Sequence, residues 1–64
     1  MDVKMTGEKL SRLRGNRSRA EVANAVGISI SALTMYELGN RTPRDEIKVR
    51  LANYYKKPVC EIFF

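Results

Sequence analysis

The side chains of this chain that could do chemistry are mostly cations and hydroxyls. Lys4, Lys9, Arg12, Arg14, Arg17 and Arg19 fall within sixteen residues and face only Glu8, and Arg41 and Arg44 flank a Thr-Pro pair. Twelve Lys and Arg against seven acids leave a net charge of +5. That balance suits phosphate, which points to nucleic acid before an anionic membrane surface. A basic run is also what an ordinary solvated face looks like, so charge alone does not decide.

Other chemistry is thin. The chain has no His, so imidazole general bases, His metal ligands and His-activated nucleophiles are excluded. Cys60 is the single cysteine, which fits a reducing compartment and rules out a disulfide framework or a Cys-cluster metal site. Scattered Ser and acid residues come with no base, no metal-ligand cluster and no phosphate-cradling glycine loop. No enzyme, cofactor or small-molecule ligand is expected. No apolar run approaches the roughly 18 to 20 residues that cross a bilayer, and the start MDVKMTGEK lacks a signal-peptide stretch. The expectation is a single cytoplasmic domain over residues 1–64 with no membrane association.

These side chains must be positioned by helices. Period-two alternation is missing, while helix punctuation is dense. A first helix is expected over 6–14, with Leu10 and Leu13 on its buried stripe and Gly15 stopping it. Ser18-Arg19-Ala20-Glu21 is a capping box that opens a second over 19–26, burying Val22, Ala23 and Val26 before Gly27. One residue, Ile28, then separates Gly27 from the next cap, Ser29. Two helices joined so closely must cross steeply, which is the helix-turn-helix layout. Ile28 and Leu33 have the spacing of a hydrophobic staple. The third helix is expected over 30–38, ending at Gly39. Thr42-Pro43-Arg44-Asp45 reads as a cap, a proline at the first helical position and an acid in the first turn. The fourth helix then runs over 43–55, burying Ile47, Leu51, Ala52 and one of Tyr54 or Tyr55. Pro58 blocks continuation, and a last turn over 59–63 closes the core with Ile62 and Phe63. The fold class is all-α, with five helices.

The stretch SRAEVANAVGISISALTMYELGNRTP resembles the helix-turn-helix of phage repressor and Cro proteins and of the XRE-type bacterial regulators. The likeness rests on Ser-x-x-Glu-Val-Ala, Gly27, the Ile28-Ser29 join and Tyr36-Glu37-x-Gly-x-Arg-x-Pro. With the tail LANYYKKPVCEIFF it extends from Leu10 to Phe63. It implies a compact lambda-repressor-like domain that binds double-stranded DNA sequence-specifically, as a homodimer, to control transcription. The third helix would lie in the major groove and the second across the backbone. The chain departs from the family pattern in places. Arg19 stands where Gln is common, Lys56 where a glycine often ends the fourth helix, and the first inter-helix turn is about two residues short. The resemblance implies an ion pair between Glu37 and an arginine of the first helix. Leu13-Arg14 matches the usual Leu-Arg pair, which favours Arg14 over Arg12.

The third helix is the remaining departure, because SISALTMYELG holds no Lys, Arg, Asn or Gln. With Leu33 inward and about 100° per residue, Tyr36 and Glu37 fall near the buried face while Ser31, Thr34, Met35 and Leu38 point away. A groove does not require charged readers, since the thymine methyl is an apolar mark and hydroxyls bond base edges. Ile30, Thr34 and Met35 are therefore expected on methyls or pyrimidine edges, with Ser31 hydrogen-bonding. Arg19, Ser29, Tyr36, Asn40, Arg41, Thr42 and Arg44 are expected on phosphates. Tyr54, Phe63 and Phe64 are candidates for the dimer contact. The competing function is a protein-interaction module, an antitoxin or a regulator's antagonist, using the same fold and the apolar face of the third helix.

Overall fold

The computed structural model of the protein describes residues 2–64; Met1, the first residue of the expected domain, lies outside them. Five helices follow one another: α1 Val3–Arg14, α2 Arg19–Val26, α3 Ile30–Glu37, α4 Asp45–Tyr55 and α5 Val59–Phe63. The fold is all-α, as the punctuation predicts.

Two helix starts differ from expectation. The first helix begins at Val3 rather than Thr6, because the Asp2 carboxylate accepts from the amides of Lys4 and Met5 at 3.0 and 3.2 Å. A carboxylate there satisfies amides that have no partner within the helix. The fourth starts at Asp45, two residues after the proline thought to open it. Pro43 is instead a buried residue outside any helix, and Arg44 (φ −66°, ψ 160°) is the extended cap position without a side-chain cap bond. Asp45 and Glu46 stabilise this start through the helix dipole. The third helix ends at Glu37, one residue before its expected end, with Leu38 as its cap.

The middle of the fold follows its punctuation. Ser18 Oγ accepts from the Glu21 amide at 3.0 Å and Ser29 Oγ from the Ala32 amide at 3.0 Å. Ends α2, α3 and α4 share one closing motif, in which a left-handed residue lets an amide beyond the helix reach back. The bonds run from Ile28 N to Ala23 O, from Asn40 N to Met35 O and from Lys57 N to Ala52 O. Gly27 (φ 83°) and Gly39 (φ 75°) supply the left-handed conformation without strain, whereas α4 uses Lys56 at φ 58°.

One core joins all five helices: Leu10 of α1, Val22, Ala23 and Val26 of α2, Leu33 and Tyr36 of α3, Leu51, Ala52 and Tyr55 of α4, and Ile62 and Phe63 of α5. Ile28 packs on its edge, as a staple requires. Of the two tyrosines left open, Tyr55 is the buried one, and Tyr54 stays half-buried with its ring edge-on to Tyr55, 5.2 Å between centroids. Phe63 is removed from the dimer candidates, because it is fully enclosed and among the largest buried side chains. Phe64 is 77% exposed.

The tightest backbone approach is between α1 and α3. A Cβ built on Gly7 would lie 2.4 Å from the carbonyl oxygen of Glu37 and 2.8 Å from that of Tyr36. Only glycine lets α1 close on the end of α3, so Gly7 sets where Glu37 stands relative to α1.

Candidate nucleic-acid interface

The outward face of α3 is populated as its helical phase demands. Ile30 and Leu38 are about half exposed, at 52% and 57%, Met35 is 38% exposed, and Ser31 is exposed beside them. Leu33, Tyr36 and Glu37 turn inward. Thr34 Oγ1 donates to the Ile30 carbonyl at 2.8 Å. Its proton is thus committed to the helix, leaving its methyl and its lone pairs for any partner. Ser29 is placed the other way: its oxygen accepts from Ala32, so its proton stays free to donate.

At the C-terminal side of α3, Tyr36, Arg41, Thr42 and Arg44 line an open polar cleft of about 230 Å³ together with Ile28, Ile47 and Glu46. Arg41, Thr42 and Arg44 are exposed, and among the described residues neither arginine enters an ion pair. Tyr36 is mostly buried, yet it is among the residues that line the cleft. Asn40 is exposed just before this segment. Four of the seven residues expected on phosphates therefore share one concavity.

The long basic run behaves differently. Lys9 Nζ donates to the Glu61 carbonyl at 3.3 Å, and Arg12 lies 3.7 Å from Glu8 on the solvated surface. Arg17 folds back on α1, its Nη2 donating to the Leu13 carbonyl at 3.1 Å, with its guanidinium 5.2 and 5.5 Å from the ring centroids of Tyr54 and Tyr55. Much of the charge that suggested phosphate chemistry is engaged within the protein.

The remaining two arginines of that run converge on Glu37, whose side chain is only 1% exposed. Arg14 Nε donates to Oε2 at 2.8 Å, and Arg19 Nε donates to Oε1 at 2.9 Å. Arg14 also gives Nη1 to the Arg17 carbonyl at 2.8 Å. The Glu37 hydrogen bond, partly opposed by burial, raises the Arg14 pKa above its ordinary value. Charges this deep are tolerated only with partners on every oxygen, and Glu37 has them. The Arg14 pairing matches the sequence expectation; the Arg19 pairing was missed. Its signal was present in the departure at the first position of α2, where an arginine replaces the usual amide. Gly7 was missed too, having no helix-stop context to single it out.

Behind this cluster Tyr55 Oη is buried without a hydrogen-bond partner among the described residues. Burial first, then the charge of Glu37, pushes its pKa up to about 12.

No helix among the described residues is long and apolar enough to cross a membrane, and they hold no cluster of three or more potential metal ligands.

Comparison with known proteins agrees with this geometry. A family model described as Helix-turn-helix matches residues 9–62. The cryptic phage CTXphi transcriptional repressor RstR of Vibrio cholerae is 33% identical over 60 residues, which is 91% of this chain and 54% of that repressor. The chain thus spans about half the length of the curated relative it matches. No solved structure matches. With α2 and α3 joined through Gly27-Ile28-Ser29 and the family model covering most of the chain, the protein belongs to the Cro/C1-type (XRE) helix-turn-helix family of DNA-binding transcriptional regulators.

Proposed function

We propose that this chain binds double-stranded DNA sequence-specifically as a homodimer, with α3 in the major groove, and represses transcription. One observation carries the reading. The exposed face of α3 offers Ile30, Ser31, Thr34 and Met35, with uncommitted arginines beside it at 41 and 44. Apolar and hydroxyl readers suit thymine methyls and base edges, while phosphates are left to the flanking cations. Repression is what the name of the Vibrio cholerae relative states for that protein, and is extended here to this chain.

Selecting bound duplexes from a random pool tests the proposal. The expected result is an enriched motif with two-fold symmetry and thymines at the positions facing Ile30 and Met35. An unenriched pool, with retention on random duplex indifferent to salt, would sink it and favour a protein partner for the same face.

A further inference from the structure

The Glu37 cluster holds two guanidiniums and one carboxylate, so it carries one positive charge that nothing in the cluster balances. The surplus is not shared equally. Arg14 is 17% exposed and uses two of its nitrogens inside the protein, on Glu37 and on the Arg17 carbonyl. Arg19 is 37% exposed, and among the described residues it donates through Nε alone. Its terminal nitrogens are therefore the outlet of the cluster's charge. A guanidinium suits this double duty, because its donors are spread around a rigid plane: one edge can be fixed while another serves a second anion. Arg19 is also the first residue of α2, the helix adjoining the reading helix through Gly27-Ile28-Ser29.

We propose that Glu37 is a positioning residue for DNA binding. Its Oε1 fixes Arg19 through Nε, so that the Arg19 terminal nitrogens clamp one backbone phosphate, while Oε2 ties the same carboxylate to α1 through Arg14. The inference rests on the DNA-binding reading above and deepens it. Arg19 and α3 are then held in register by one buried carboxylate at the end of α3, so a phosphate contact made by α2 fixes where α3 sits. A lysine is not equivalent. Its three donors radiate from one nitrogen, so held on the buried carboxylate it has no second edge that extends towards the phosphate.

The test measures binding to random duplex DNA across a salt series for the wild-type chain, Arg19→Gln, Arg19→Ala and Arg19→Lys, with circular dichroism melting to confirm folding. Arg19→Gln keeps a donor for Glu37 and carries the measurement if Arg19→Ala does not fold. Losing one phosphate contact makes the log-log salt slope shallower by about 0.9. That change is expected for Arg19→Gln and Arg19→Ala, and for Arg19→Lys as well despite its retained charge. Folded neutral variants with the wild-type slope would overturn the phosphate contact. A lysine variant with the wild-type slope would overturn the positioning by Glu37. A wild-type chain without salt-dependent duplex binding overturns the DNA-binding reading itself and this inference with it, an outcome distinct from the other two.

Discussion

Arg41 and Met35 are both exposed at or beside the end of α3, and the proposed function gives them opposite tasks. Arg41 lines the polar cleft and has no ion-pair partner among the described residues, so its charge is available to a phosphate on any sequence. Arg41→Ala is expected to weaken binding to all duplexes alike and to flatten the salt slope by about one unit, measured by titration at several ionic strengths. Met35 carries a thioether and no charge, so Met35→Ala is expected to change base preference and leave the slope alone. A site-selection profile identical to the wild type would remove it from the readers. Tyr55 makes a different kind of statement, about pH. Its hydroxyl is buried and has no partner among the described residues, and its pKa is raised to about 12. The folded state thus holds the phenolic proton more tightly than the unfolded chain, whose tyrosine titrates near 10. The corresponding stability is complete below about pH 10 and drains away as pH rises towards about 12. Tyr55→Phe removes that alkaline loss. At pH 7 it is expected to be neutral or stabilising by about 1 kcal/mol, because an unsatisfied buried hydroxyl disappears while the ring stays. Urea melts at pH 7 and pH 11 read both effects, and a variant that loses stability at pH 7 would mean the hydroxyl has a partner.

At the scale of elements, the ends of the helices decide how much of the fold was legible. Where a polar cap met a stopping glycine, from Ser18 to Gly27, the sequence predicted both limits of α2, and from Ser29 to Gly39 it missed only the last residue of α3. It failed where tertiary placement outvoted local chemistry. The proline ring fixes a φ that suits a first helical residue, but Pro43 is buried ahead of the helix and α4 starts only at Asp45. Asp2 captured a start that Thr6 had been given, and Thr6 is buried inside α1. The site divides in the same way. The outward face of α3 follows from helical phase alone, whereas the second arginine on Glu37 depends on where α2 packs, which no local spacing encodes. Lys56 is the case with a measurable cost. The α4 end uses the closing motif that Gly27 and Gly39 serve elsewhere, but with a side chain at φ 58°. Its Cβ crowds the backbone in that conformation. Lys56→Gly is expected to stabilise the fold by about 0.5–1 kcal/mol, offset in part by the freedom glycine gains when unfolded. Thermal unfolding followed by circular dichroism reads it, and a lowered melting temperature would show that the lysine side chain contributes more than its strain costs.

At the scale of the whole molecule, size bears on the proposed mode of binding. The Cα framework extends 25 × 22 × 21 Å, while successive major grooves on one face of a duplex lie about 34 Å apart. On the proposed reading, one copy presents one α3 to one groove segment. Its readers are apolar or hydroxylic, without the bidentate forks that give the largest discrimination per base. The proposed homodimer would draw its specificity from two half-sites, and the contact between the copies would be part of the reading device. The enclosure of Phe63 narrows the candidates to Phe64 and Tyr54. Tyr54 is already covered by the Arg17 guanidinium, 5.2 Å from its ring. Phe64 is exposed, and it lines a cleft of about 200 Å³ with Met5 and Thr6 of α1. A ring left in water beside an exposed methionine is the surface a second copy gains most by covering. Lys48 Nζ, 5.2 Å from the Phe64 ring, keeps that ring near α4. Phe64→Ala is therefore expected to leave binding to an isolated half-site unchanged while abolishing cooperative occupation of the full two-fold site. Gel-shift titrations on the two duplexes, paired with sedimentation equilibrium of the free protein, separate these effects. Cooperative binding that persists in the variant would move the dimer contact away from Phe64.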